Sequence, residues 1–320
     1  MRVRVSSIGL YVSSNVETSA DLASRVGKTA EWIERTVGVR SRHIADCSME
    51  EQGARAASAA IGDGPPPDLI INASLSPRQL IPDTSVFISQ AMGYDGIPSF
   101  SIHATCLSFM VAYRNAAALL DTGSYDRILI VSSEAGSVCR DFSEPESAVL
   151  IGDGAAAVVM EKTPNDEHSE MLGFHMITRP AGSAFTELRG CGLYRHPNDP
   201  NTKPTDNLFH MDGRRVYRMG RKMVGEVLEA VFAKTKTTVD DVDLVIAHQA
   251  SGPALTSLRY YGIDKAKVVD TFTDYGNCIA ASIPMTLAIA NEQGRLKRGD
   301  RVLLLGVGAG LSAAAALIQW

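Results

Sequence analysis

Apolar positions in this chain fall into two kinds of pattern. Short runs rich in β-branched residues, such as "ILIVSS" (128–133) and "LVIAH" (244–248), predict strands. Stretches such as "EVLEAVFAKT" (226–235) and "PMTLAIANEQG" (284–294) space their apolar residues three and four apart, which predicts helices. The N-terminal "MRVRVSSIGLYV" carries charges inside an apolar run and reads as a first strand, not as a signal peptide. Near-continuous apolar strands that alternate with helices imply an α/β protein with a mixed, mostly parallel sheet covered on both faces.

The pattern also repeats. "DLIINASLSP" (68–77) is echoed by "DLVIAHQASGP" (243–253), "DRILIVSSE" (126–134) by "DRVLLLGVG" (300–308), and "HATCLSFMVA" (103–112) by "YGNCIAASIP" (275–284). Taking 243 against 68, 300 against 126 and Cys278 against Cys106, the offsets are 175, 174 and 172. "GDGAAAVVME" (152–161) and "GAGLSAAAALIQ" (308–319) close the two halves, each with a run suited to a buried strand. An internal duplication accounts for this order better than chance reuse of short phrases. The polar stretch around Pro164 marks the junction, giving halves of 1–165 and 166–320. "YRHPNDPNTKPTDN" (194–207) is too long for a plain connection and reads as a surface excursion near a site.

Composition narrows the class. Apolar residues make up 45% and charged residues 21%, as in a globular domain, and a net charge of −5 gives no general attraction to nucleic acid or anionic lipid. No run reaches the roughly 18 apolar residues of a membrane span. Five dispersed cysteines without a CxxC pair argue against a disulfide framework or a metal site and for the cytoplasm.

Chemistry gathers at strand ends. Cys106 lies between an apolar strand and a helical segment, where a helix N-terminus favours thiolate. His248 directly follows a strand, and Asn277 sits in a Gly-Asn turn before a helix. Each alone has an ordinary structural explanation. Under the duplication, however, related strand ends face one cleft, and the three residues should converge there. Gly306, Gly308 and Gly310 follow the apolar strand segment "DRVLLL" and permit close backbone approach to a reacting carbonyl. Gly152-Asp153-Gly154 reads as a tight turn. Arg214, Arg215, Arg218, Arg221 and Lys222 recur at helical spacing, either as a solvated face or as a landing strip for an acidic partner.

Taken together, these motifs resemble the thiolase-fold condensing enzymes, in particular the β-ketoacyl-(acyl carrier protein) synthase III group. "EWIERTVGVRSRHIAD" (31–46), the segment around Cys106, "LIGDGAAAVV", "AHQAS" and "GNCIAASIPMTLA" are each similar to a family element, and the likeness runs over nearly the full length. The resemblance implies a duplicated fold in five αβαβα layers and a homodimer. It implies that Cys106 takes an acyl group from acyl-CoA and that a malonyl thioester, delivered by acyl carrier protein, then condenses with it after loss of CO₂. By similarity His248 and Asn277 bind the enolate, the backbone N–H groups of Cys106 and Ala309 form the oxyanion hole, and Trp32, Arg35 and Arg40 bind coenzyme A. The basic set on 214–222 would dock the carrier. No cofactor or metal is implied beyond the coenzyme A thioester, which is substrate. Val307 stands where members have Phe, beside Gly308; Pro253 lies in the stretch that replaces a carrier-binding arginine; and Ile81 replaces an aromatic that limits the primer pocket across the dimer. These departures keep open a second reading, an acyltransferase that passes the Cys106-bound group to an alcohol, amine or thiol.

Overall fold

A computed structural model describes residues 1–320. The first half contains strand β1 (Val3–Tyr11), an antiparallel pair β2 (Val16–Thr18) and β3 (Ser41–His43) with helices α1 (Ser19–Ala23) and α2 (Ala30–Thr36) between them, and helix α3 (Met49–Ile61). It continues with β4 (Leu69–Asn72), α4 (Thr84–Ala91), β5 (Ser99–Ser101), α5 (Ser108–Asp121), β6 (Arg127–Glu134), α6 (Pro145–Ala148) and β7 (Gly154–Lys162). The second half contains β8 (Glu170–Thr178), β9 (Thr186–Glu187), β10 (His210–Met211), α7 (Gly213–Thr235), β11 (Leu244–Ala247), α8 (Gly252–Thr256), α9 (Phe272–Tyr275), α10 (Ser282–Glu292), β12 (Arg301–Gly308) and β13 (Ser312–Gln319).

Two sheets repeat one topology. The first runs β1-β7-β6-β4-β5, with β4, β5 and β6 parallel and β7 antiparallel to both its neighbours. The second runs β8-β13-β12-β11 with the same directions, and a parallel bridge from Val245 to Val268 stands where β5 stands in the first. β4 and β11 are buried at every residue, which is why they read as unbroken apolar runs.

Helices α5 and α10 lie between the sheets, α3 covers the outer face of the first sheet and α7 that of the second. Successive strand residues therefore serve different cores. Leu69, Ile71, Leu244 and Ile246 point to the central helices, whereas Ile70 faces α3 and Val245 faces α7. Helix α7 shows why its segment reads as amphipathic: Gly220, Met223, Val224, Val227, Leu228 and Val231 form its buried stripe. The result is the five-layered αβαβα arrangement. No helix is long and apolar enough to cross a membrane.

The structural register corrects one pairing. Helices α5 and α10 both begin at serine, Ser108 and Ser282, 174 positions apart. Thr105 and Ile279, also 174 apart, are the left-handed residues ahead of them, at φ of 53° and 50°. The counterpart of Cys106 is therefore Ala280 and not Cys278. The cysteine match is a coincidence of composition two residues out of register, although the turns that carry Cys106 and Asn277 remain equivalent.

Candidate active site

Cys106 sits in a strained elbow. A β-branched residue at positive φ, such as Thr105, is uncommon and costs on the order of 1–3 kcal/mol. Local bonds hold it: Ser108 Oγ donates to Thr105 O (2.7 Å) and accepts from Ala104 N (2.9 Å), and Thr105 Oγ1 donates to Ala309 O (3.2 Å). This last bond joins the nucleophile elbow to the loop after β12. That strand approaches closely enough to require glycine, because a Cβ on Gly308 would lie 2.6 Å from Thr105 Oγ1 and 3.4 Å from Cys106 N. One on Gly306 would meet Leu107 at 2.6 Å and His248 Cβ at 3.4 Å. The C-terminal end of β12 thus touches both the cysteine and the histidine.

Cys106, His248, Asn277 and Ala309 line a single cavity of about 1530 Å³. Ligand pockets usually measure about 300–1,000 Å³, so there is room for more than one acyl thioester tail. The backbone N–H groups of Cys106 and Ala309 both face the Cys106 sulfur. Those two donors do not make the thiol acidic. Burial, aided by the negative charge of Glu134, pushes it up to about 12, which overturns the expectation of a resting thiolate. Helix α5 starts two residues later, and desolvation outweighs its dipole.

His248 is buried, its backbone N–H donates to Leu305 O (2.7 Å), and its ring Nδ1 is sealed from solvent without a partner. Burial lowers the imidazole to about 4, so the ring is neutral and can donate through only one nitrogen. Asn277 is fixed by its backbone, N–H to Leu150 O (2.7 Å) and O from Gly152 N (3.2 Å). Its Oδ1 accepts from Ile279 N (2.9 Å), which leaves the amide NH₂ for the cavity.

The outlying expectations divide. Val307 and Gly308 line the cavity. Ile81 is 85% exposed and lies outside the cavity of its own chain, the role expected of it being across a dimer, while its neighbour Leu80 reaches the wall. Trp32 and Arg40 lie outside the cavity. The Trp32 ring packs on the apolar cluster under α2, and Arg40 pairs with Asp274. Arg35 lines a shallow depression with Tyr260 and Arg259, and this depression shares Tyr217 and Ser257 with the cavity mouth. Of the basic set, Arg221 reaches the mouth and stacks over Tyr260, and Arg215 pairs with Asp212 at 3.3 Å. Arg214, Arg218 and Lys222 are exposed on α7. Of the excursion 194–207 only Tyr194 lines the cavity and the proline-rich part does not; the flanking Thr186–Arg189, Cys191–Leu193, Phe209 and Met211 do.

Three buried charged residues were not legible as site elements. Asp153 accepts from Ala45 N (2.9 Å), Ser137 N (2.9 Å) and Ser137 Oγ (2.6 Å), so the Gly-Asp-Gly segment is a hydrogen-bond hub and more than a turn. Arg42, fully buried, donates to Glu17 O (3.2 Å), and the Glu17 carboxylate accepts from Arg140 (2.5 Å). Glu134, also fully buried, accepts from the amides of Leu75 (2.5 Å) and Ser76 (3.3 Å) behind the cavity wall.

Against this geometry, two family models match the chain. One, for the C-terminal part of 3-oxoacyl-[acyl-carrier-protein] synthase III, covers residues 232–320, and one for 3-oxoacyl-[acyl-carrier-protein] synthase III covers residues 100–180. The β-ketoacyl-[acyl-carrier-protein] synthase III of Rhizobium johnstonii is 33% identical over 331 residues, covering 100% of both chains. That of a Synechocystis species is 35% identical, covering 98% of this chain and 96% of its own. Among solved structures, the 3-oxoacyl-[acyl-carrier-protein] synthase III of Aquifex aeolicus superposes with a TM-score of 0.90 at 29% identity, over 99% of this chain and 100% of its own. Cerulenin-bound OleA of Xanthomonas campestris superposes with a TM-score of 0.86 at 26% identity, over 100% of this chain and 97% of its own.

Proposed function

The chain belongs to the 3-oxoacyl-(acyl carrier protein) synthase III family, and on that premise we propose that it is a condensing acyltransferase that works through Cys106. The observation that carries the assignment of roles is the convergence of Cys106, His248, Asn277 and Ala309 on one cavity. In the first half-reaction the Cys106 sulfur attacks the carbonyl of an acyl-CoA. A carbon–sulfur bond forms to the protein, the bond to coenzyme A breaks, and the thiol proton leaves with the coenzyme A sulfur. The exchange is neutral overall, so it starts from the protonated thiol that burial enforces. The negative oxygen of the tetrahedral intermediate accepts from the N–H groups of Cys106 and Ala309, which are aimed where charge develops.

In the second half-reaction a malonyl thioester loses CO₂, and its enolate oxygen accepts from His248 and Asn277. The enolate carbon then attacks the Cys106 thioester, a carbon–carbon bond forms, and the cysteine sulfur leaves as a thiolate that takes up one proton from water to restore the thiol. A neutral imidazole suits this role, since it donates without adding a buried positive charge. In this reading the malonyl group arrives on acyl carrier protein and no cofactor takes part. Arg221 and the exposed basic residues of α7 beside the mouth are where an acidic carrier would dock. The protein works in the cytoplasm, where its five cysteines stay free. It works as a homodimer joined along β5, an edge strand with Phe100 exposed at 39%.

Acylated enzyme given malonyl thioester is expected to release CO₂ and 3-oxoacyl product in equal amounts. Formation of acyl-enzyme that malonyl thioester cannot discharge, but that an alcohol, amine or thiol can, would replace condensation by simple acyl transfer. Val307 gives that outcome its structural basis, since a side chain smaller than Phe stands opposite Gly220 and widens the cavity beside the catalytic groups.

A further inference from the structure

We propose that Glu134 is a positioning residue for the condensation, a buried carboxylate that ties the Leu75–Ser76 wall of the cavity to the Ile279–Ala281 turn that carries Asn277. The proposal rests on Cys106 being the acylated residue. Glu134 ends β6 and is fully buried, a place where a carboxylate persists only if its oxygens are satisfied. Its two oxygens accept from Leu75 N (2.5 Å) and Ser76 N (3.3 Å). The Ala280 N–H and the Ser76 hydroxyl also face it. No cation pairs with it, so main-chain N–H groups and one hydroxyl hold the charge.

The partners define what it does. Leu75 and Ser76 line the cavity, and Ala280 belongs to the turn whose first residue donates to Asn277 Oδ1. Ala280 is also the counterpart of Cys106 in the other half of the molecule. One carboxylate therefore fixes the wall beside the acyl group and the amide that meets the enolate. Neighbouring bonds reinforce the seam: Ser132 Oγ donates to Ala73 O (3.0 Å), and Ser133 N to Ser74 Oγ (2.9 Å).

The titratable groups that face Glu134 are the thiols of Cys106, ahead of α5, and Cys278, ahead of α10. Burial raises the carboxyl to about 7 against the pull of its amide donors. Above that pH its negative charge opposes ionisation of Cys106; below it, the carboxyl is neutral and the opposition disappears. Positioning and charge can therefore be separated by substitution. Glu134→Gln keeps one acceptor and removes the charge, whereas Glu134→Asp keeps the charge and shortens the reach.

The test reads Cys106 alkylation by iodoacetamide against pH, site by site through peptide mass, together with kcat and KM for condensation. In the wild type the logarithm of the alkylation rate should rise with pH and flatten through about pH 7, where Glu134 ionises. In Glu134→Gln the rise should be unbroken, severalfold faster than wild type at about pH 8 and converging with it below about pH 6. Glu134→Asp should retain the wild-type bend, acylate fully, and lose about tenfold or more in kcat with KM little changed, as misplacement of an aligned group does. Wild-type and Glu134→Gln profiles that are straight and superimposable overturn the proposal, as does Glu134→Asp with wild-type kcat. Should Glu134→Asp fail to fold, Glu134→Gln, which keeps the size and one acceptor, carries the same kcat and KM readout, and a wild-type kcat there overturns the proposal. Failure of Cys106 to acylate contradicts the functional reading instead, and the alkylation profile still decides the place of Glu134.

Discussion

Cys106→Ala abolishes acyl-enzyme formation: incubated with acyl-CoA, the variant keeps its unmodified mass while the wild type gains one acyl group. Turnover falls by several orders of magnitude, because capture on sulfur is what divides one hard step into two easier ones. Nothing else in the cavity substitutes for it. Cys47, Cys139 and Cys191 also line the wall, yet none is set in the elbow where two backbone N–H groups face the sulfur. The fold should survive, since the side chain lost is small and borders a cavity. Intact mass and thermal unfolding, measured side by side, check both statements. An acylated Cys106→Ala protein would mean that another thiol does the work.

His248→Ala and Asn277→Ala divide the reaction in the other direction. Each should acylate like the wild type and then stall, with discharge by malonyl thioester slowed about 10²–10³-fold, the usual cost of one missing donor to a developing oxyanion, or about 2.7–4 kcal/mol. Both donors serve one oxygen, so the double variant should lose less than the product of the single losses. His248→Ala removes an imidazole whose Nδ1 has no partner, so its stability should change little through lost hydrogen bonds. Single-turnover discharge of pre-acylated protein is the measurement. A variant that fails to acylate at all would assign these residues to the first half-reaction.

Much of the arrangement was legible because it depends on local pattern. β4 and β11 are buried on both faces, so apolar runs mark them, and aspartate opens the two matching segments through bonds to the next strand: Asp68 accepts from Arg127 N (2.9 Å) and Asp243 from Arg301 N (2.8 Å). The repeated phrases are one structural unit written twice. Cys106, His248 and Asn277 could be picked out because strand ends of related halves face one cleft.

What stayed hidden depends on distant chain. Glu134 looks like an ordinary charge at the end of "IVSSE", and only the amides of Leu75 and Ser76, 59 and 58 positions away, make it a buried anchor. Arg42 sits in a segment of scattered charges whose burial the pattern does not announce. The thiol's resistance to ionisation was misjudged for a related reason, since a helix start is visible in sequence and the depth of the surrounding cavity is not.

Peptide mass mapping of the wild-type protein after reaction with an acyl-CoA addresses the central claim most directly. The account predicts a single acyl group on the peptide containing Cys106, which disappears when a malonyl thioester is added. Acyl label found instead on Cys47, Cys139 or Cys191, with Cys106 unmodified, would contradict it.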